Sequence, residues 1–343
     1  MKRSLTLALG LGLAVVMAAC DRPKQPTSFT QVPNADKFEH VRIQLNWVPE
    51  PEFGGIFAAA DAGYFGDEGL DVEIIKGGPG VAAPQLVASG QVEFGVVAGE
   101  QVLTLRDAGG ELVAIFASFQ SDPMGIMVHD ASPFRTIEEL WSSDSTVACE
   151  TNLVFVAMLN QKFGGTKLKF IPHSGSVAQF AADPKLAQQC FVFAEPVALE
   201  LEGVKTRVFP SSASGYDPYN VVIATSAAYA REHRATTQKL ARALSRGWQR
   251  YLETPSPTND HMSHLNPAMK APAMNLAAAR QAPLITSPDT AKLGLGAMTA
   301  ERWTKIASQL KSLGKIKSEP KAEDVFIWTP ASEPASAAPS SKG

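Results

Sequence analysis

Residues 41–76 leave this chain few ways to fold. Val41, Ile43 and Leu45 alternate with polar residues, the pattern of a strand with one face in a core. That strand ends at Asn46-Trp47, and a loop with Pro49, Glu50, Pro51, Glu52 and Phe53 follows it. Gly54-Gly55 then opens a helix to about Tyr64 whose small residues suit close approach to a sheet, and Leu70 to Lys76 is a second strand. A strand, a helix and a strand in such short order demand a parallel pair with a right-handed crossover. Open α/β sheets bind ligands beyond the carboxyl ends of their strands. Asn46, Trp47, Glu52, Phe53 and Gly54 fall there.

The rhythm continues. A helix over 81–89, a strand over 92–97, a helix to Ala108 and an apolar run from Glu111 to Phe119 are expected, with Glu100 and Gln120 at strand ends. Pro123 to His129 has no crossover helix before it, so this strand runs the other way and leaves the sheet. A second, smaller unit follows, with strands at 145–149, 168–171 and 191–194. Right-handed links put the first of these between the other two. They send Glu150, His173-Ser174-Gly175 and Glu195 to one edge, facing the first unit. Asn220 to Thr225 returns to the first sheet, and helices at 237–253, 275–282 and 299–313 cover it. The expected fold is α/β with two lobes, 40–127 with 220–328 and 128–219. Two crossing strands form the hinge of a clamshell.

The chain ends read differently. Lys2-Arg3, an apolar stretch from Leu5 to Val16 and small residues before Cys20 form a signal peptide over residues 1–20. The stretch is too short for a comfortable membrane span. Cys20 after Ala18-Ala19 resembles the bacterial lipobox, whose cysteine is lipidated and holds the mature protein to the membrane. Residues 21–39 are a polar, proline-bearing tether, and 329–343 is a Pro/Ala/Ser tail of disordered composition. A formal net charge of −3 with no basic stripe argues against nucleic acid as a partner.

Several stretches together resemble a known family. They are Leu45-Asn46-Trp47 with Pro49, Gly63-Tyr64-Phe65 leading into Glu68-Gly69-Leu70-Asp71-Val72-Glu73, Val87 to Gly95, Gln120 to Ile126, and Phe193-Ala194-Glu195-Pro196. Over about residues 40 to 326 the chain is similar to substrate-binding proteins of ABC importers in the NMT1/THI5-like group. That group includes binders of thiamine pyrimidine precursors and is related to sulfonate, taurine and nitrate binders. The resemblance implies a type II periplasmic-binding-protein fold and a small-molecule ligand captured by closure. It also implies permease and ATPase subunits as partners, a monomer on the periplasmic side of the inner membrane, and no cofactor. The fungal pyrimidine synthases of the superfamily carry a cysteine-rich motif. Here Cys20, Cys149 and Cys190 stand apart, so synthase chemistry is not expected.

The candidate site residues carry more than one reading. Glu150 and Glu195 form an acid/base pair or a pair of ligand acceptors; no nucleophile or metal set accompanies them, which favours binding. Gly78, in the run Gly77 to Gly80, and Ser174-Gly175 are anion cradles or ordinary turns and caps. Asn152 and His173 are cleft donors, whereas His261 and His264 lie on a solvated helix face without a third ligand. Trp47 and Tyr216 are the aromatics expected to stack on a flat ring, with Phe53, Phe119, Phe155 and Tyr219 divided between cleft and core. Glu52, Glu100, Glu150 and Glu195, against few basic residues, point to a ligand with amino groups and so to a thiamine pyrimidine precursor. A sulfonate or nitrate would want Arg or Lys; a riboflavin-like ligand is a further alternative. Cys149 ends its strand and Cys190 opens the neighbouring one, about 10 Å or more apart, so both are expected as free thiols.

Overall fold

The computed structural model describes residues 38–150 and 153–328. The expected signal peptide, Cys20, nearly all of the tether, Asn152 and the tail lie outside the described residues. Two five-stranded sheets organise the remainder. The first has the order β2-β1-β3-β10-β4, from β1 (Glu39–Gln44), β2 (Leu70–Ile75), β3 (Phe94–Val97), β4 (Leu112–Phe119) and β10 (Asn220–Ser226). β1 runs parallel to β2 and β3, and β10 is antiparallel to β3 and β4. The second has the order β7-β6-β8-β5-β9, from β5 (Met124–His129), β6 (Thr146–Cys149), β7 (Lys169–Pro172), β8 (Ala187–Phe191) and β9 (Thr206–Pro210). There β6 is parallel to β7 and β8, while β5 is antiparallel to β8 and β9.

The alternation that marked β1 has the physical basis expected of it. Val41, Ile43 and Leu45 are fully buried in one core with Leu70, Val72 and Ile74 of β2. Each such side chain contributes about 1.5–3 kcal/mol. The first-lobe helices expected from the sequence form, that at 275–282 as the longer Ala271–Ile285, and further helices at Ser256–Leu265 and Pro288–Leu293 add to them.

Four details depart from the sequence reading. The whole of β5 belongs to the second sheet, so the chain changes lobe at 120–123 rather than near 127. The apolar strand expected at 191–194 is a turn, and the strand lies earlier, at Ala187–Phe191. Its Gln188 and Gln189 read as loop residues, yet both are buried and their amides are bonded: Gln189 Oε1 accepts from the Glu150 N–H at 2.7 Å. Gly54 and Gly55 pack against a helix, not a sheet. A Cβ on either would lie within 2.2 Å of the Tyr251 or Trp248 ring of the helix Arg234–Glu253. Gly247 of that helix is pressed equally hard against the Gly55 carbonyl, at 2.2 Å from its own would-be Cβ.

The fourth departure concerns the cysteines. Both are free and buried, but not for the reason given by the sequence. Val147 pairs with Ala187 and Ala148 with Gln188, so Cys149 and Cys190 sit near the same ends of adjacent strands, one residue out of register. That offset points them to opposite faces of the sheet. Cys149 packs in the core shared with Trp141, and Cys190 in a separate cluster around Phe180. Burial raises the Cys149 thiol to about 11, and Cys190 rises as well.

The lobes meet at more than the two crossing segments. Phe193, just after β8, is fully buried in the first lobe's core, stacked on Phe119 with centroids 5.4 Å apart and planes within 3°. Arg302 ties the crossings together, donating to the carbonyls of Gln120, Asp217 (2.8 Å) and Pro218 (3.2 Å).

Candidate functional site

Between the sheets lies a cavity of about 560 Å³, within the range of small-molecule sites. Each wall is made at strand ends. β1 leads to Asn46, Trp47, Glu50 and Glu52; β3 leads to Ala98 and Glu100; β4 leads to Asp122. From the second lobe, β6 leads to Glu150, β7 to His173 and β8 to Ala194 and Glu195. Tyr216 and Asn220 come from the returning crossing.

The β1 loop is shaped by backbone constraints. Pro51 opens a single 3-10 turn, Pro51–Phe53, that carries Glu52 inward to 4% exposure. Asn266 donates to the Pro49 carbonyl at 3.1 Å and to Glu50 Oε1 at 3.3 Å, and Gln281 donates to the Pro51 carbonyl at 2.7 Å. Gly77 fixes Trp47 from the other side. Its N–H donates to the Trp47 carbonyl at 3.1 Å, and a Cβ there would fall 2.3 Å from the Leu45 carbonyl oxygen. The expected anion cradle at Gly78 is absent from the cavity wall; its neighbour Gly77 is the residue that matters, as a spacer.

Half of the sixteen expected site residues come together here: Asn46, Trp47, Glu52, Glu100, Glu150, His173, Glu195 and Tyr216. Asn152 lies outside the described residues, and the others sit elsewhere. Phe53 is core, and Gly54 packs under Tyr251. Gln120 is buried and donates to the carbonyls of Ala117 (3.1 Å) and Ala297 (2.9 Å). Tyr219 is buried behind the crossing, where its hydroxyl accepts the Thr299 N–H at 2.9 Å and its ring lies under Arg302. Ser174 is exposed and off the wall. Gly175 does not line the cavity either, but a Cβ on it would come within 3.2 Å of the Trp47 ring, so it abuts that ring across the lobes. Among the aromatics left undecided, Phe119 is core and Phe155 lines the cavity.

Sequence reasoning missed Glu50, Asp122, Asn220 and Gln189. Glu50 stood in the quoted loop beside Glu52 and was passed over for it. Asp122 was visible in Gln120-Ser121-Asp122-Pro123, but only the fold shows it at the hinge. It accepts from Asn220 Nδ2 at 2.7 Å and from the Ser211 hydroxyl.

The electrostatics are lopsided. Among the described residues that line it, six carry carboxyls, only Lys315 carries an ammonium, and none is arginine. Burial, then the charge of Glu195, pushes Glu50 up to about 8. Glu52 rises well above the usual range through burial and the charges of Glu50, Glu195 and Glu150. Burial raises Glu195 to about 7, against hydrogen bonds from backbone N–H groups including that of Phe191 at 2.8 Å. Glu100 stands at about 7 through burial and the charge of Asp122; Asp122, at about 6, is raised mainly by burial and held back by Ser211 and Asn220. His173 is lowered by burial, and its Nδ1 accepts the Gly175 N–H at 3.1 Å. Near neutral pH several of these carboxyls hold their protons, so the wall offers O–H donors beside its oxygen acceptors, gains negative charge as those protons leave, and has no guanidinium to hold an anion.

A profile of the family described as NMT1/THI5 like matches residues 50–258. The riboflavin-binding protein RibY of Chloroflexus aurantiacus is 23% identical over 93% of this chain and 95% of its own length. The 4-amino-5-hydroxymethyl-2-methylpyrimidine phosphate synthase THI11 of Saccharomyces cerevisiae is 31% identical, but over 85 residues, 25% of either chain. The solved aliphatic sulphonate binding protein SsuA of Escherichia coli superposes with a TM-score of 0.65 at 15% identity, covering 85% of this chain and 92% of that one.

Proposed function

The chain belongs to the NMT1/THI5-like family, and on that premise we propose that it is the extracytoplasmic substrate-binding component of an ABC importer. Its ligand is an uncharged or cationic nitrogen heterocycle bearing N–H and O–H donors. The observation that carries this reading is the wall of six carboxyls with no arginine. An aliphatic sulfonate, the ligand named for the structurally similar Escherichia coli protein, would find no guanidinium among the lining residues and repulsion from each carboxyl that is ionised. Trp47 supplies a face for stacking, and Glu52, Glu195 and Asn46 accept the ring's donors. Among the described residues that line the cavity there is no serine or cysteine, which favours capture over turnover.

Within that class a flavin fits best. A cavity of about 560 Å³ is generous for one pyrimidine ring, and the relative that matches nearly end to end is named as a riboflavin binder. A second reading, the aminopyrimidine of thiamine synthesis, draws support from the same acceptors and from the short stretch shared with the yeast synthase. Capture works by closure: a ligand touching both lobes stabilises the closed state by its differential affinity for it. Permease and ATPase subunits receive the loaded protein, and a lipid on Cys20 would keep it at the membrane.

Native mass spectrometry of the purified protein, followed by calorimetry against riboflavin, 4-amino-5-hydroxymethyl-2-methylpyrimidine and taurine, tests the reading. Binding of either heterocycle with none of taurine is expected. Tight taurine binding with neither heterocycle bound overturns it.

A further inference from the structure

The carboxyls of the cavity fall into two groups that do not sense one another. Beyond burial, Glu50 is raised by Glu195, Glu52 by Glu50, Glu195 and Glu150, and Glu195 by Glu150, whereas Glu100 is raised by Asp122 and by none of these. Trp47, the ring-stacking candidate, hydrogen-bonds Glu50 of the first group.

The second group is also built differently. Asp122 is fully engaged, one oxygen taking Asn220 and the other Ser211. Glu100 and Tyr216 are not. Glu100 Oε2 and the Tyr216 hydroxyl are buried at the cavity wall and make no hydrogen bond of normal geometry among the described residues; the two side chains lean on each other, each shifting the other, and on no third side-chain partner. Tyr216 is 1% exposed, and Glu100 is the second residue of the helix Gly99–Asp107. Tyr216 is too deeply buried to reach bulk solvent except through the cavity. Leaving such groups unpaired is costly, and proteins rarely do it without a reason. A carboxyl that accepts beside a phenol that donates matches a group able to do both, which a hydroxyl is. A primary amine fits the acceptor alone.

We infer that Glu100 and Tyr216 form a second subsite, for a hydroxyl- or amine-bearing arm attached to the heterocycle held at Trp47. The inference rests on the proposed ligand class and adds to it: the ligand is two-ended. The subsite sets specificity, because a site made to hydrogen-bond a hydroxyl rejects an analogue lacking it far more strongly than an apolar pocket does.

Matched ligand pairs test this with the full-length protein. Riboflavin and lumiflavin share the ring and differ by a ribityl arm in place of a methyl group. In the pyrimidine series, 4-amino-5-hydroxymethyl-2-methylpyrimidine and its 2,5-dimethyl counterpart differ by one hydroxyl. Flavin affinities follow from fluorescence quenching, pyrimidine affinities from calorimetry. Wild type is expected to prefer the arm-bearing member of the pair it binds by about 30-fold or more. Tyr216→Phe and Glu100→Gln should collapse that ratio to within about threefold, because each removes one partner of the arm. Glu52→Gln should weaken both members of the pair and leave the ratio near the wild-type value. Thermal melts of each variant confirm folding.

Equal affinity of wild type for both members of the pair overturns the subsite, as does an equal loss for both members in Glu100→Gln and Tyr216→Phe. In those cases the ligand-class reading stands. If neither ring class binds at all, that reading fails and the subsite falls with it.

Discussion

The two walls of the cleft are unlike. On the first lobe, Glu52 is 4% exposed, and the backbone around it is pinned by Asn266 and Gln281 from helices some two hundred residues further along. On the second lobe, Glu150 is exposed, His173 is partly so, and β7, the strand leading to His173, is an edge strand with Phe170 at 41% exposure. One wall is finished before a ligand arrives; the other is presented to it. The difference teaches an order of events. Under the closure proposed above, a ligand would meet prearranged acceptors on the first lobe, at little further entropic cost, and the second lobe would complete the site. Glu195 is the exception on the second wall. Its helix follows Phe193, which is sunk in the first lobe's core.

That exception gives the largest effect by which the comparison can be broken. Phe193→Ala should destabilise the protein by about 3–5 kcal/mol, as loss of a fully buried aromatic does. It should also loosen one lobe from the other. Urea unfolding measures the first and small-angle scattering the second. A loss below about 1 kcal/mol would mean that Phe193 does not couple the lobes.

Next comes pH. In the folded protein Glu50, Glu100, Glu195 and Asp122 stand at about 8, 7, 7 and 6, above ordinary values of 4.5 for Glu and 3.8 for Asp. Carboxyls raised on folding make the folded state hold more protons than the unfolded one. Their stabilising contribution is therefore whole below about pH 4 and is lost as pH climbs through 6 to 8. The unliganded protein should lose several kcal/mol between about pH 5 and pH 8, read as a falling melting temperature. A melting temperature that rises over this interval would show that the carboxyls are solvated, and the first wall open.

Affinity sharpens the comparison directly. Glu52→Gln should weaken the bound heterocycle roughly tenfold to a hundredfold, the worth of about 1–3 kcal/mol for a buried acceptor. Glu150→Gln, at an exposed position, should cost threefold or less, since exposed polar contacts are worth about 0–1 kcal/mol. Calorimetry on the two variants decides, and the reverse ranking would invert the order of events. The smallest effect is expected at Arg280, which reaches across the lobes to Glu200 at 2.5 Å while both side chains stay substantially exposed. Arg280→Ala should change unfolding free energy by no more than about 0.5 kcal/mol.

What the sequence determined by itself was the layering. The β1 alternation, the strand–helix rhythm and the odd strand at 124–129 are local patterns, and local patterns survive reading one residue at a time. They were enough to bring Asn46, Trp47, Glu52, Glu100, Glu150, His173 and Glu195 to strand ends that face one another. Tertiary structure decided the rest, for one recurring reason: an apolar or polar residue does not announce what it will be buried against. Phe191-Val192-Phe193-Ala194 has the composition of a core strand, but Phe193 packs into the other lobe instead. Gln188 and Gln189 look like loop and are strand, because partners from β6, β7 and the loops beyond them satisfy their amides. Tyr219 and Tyr216 sit three residues apart in the same crossing; one is held by Thr299 and Arg302, and the other keeps an unmet hydroxyl at the cavity. Only the meeting of distant segments separates them.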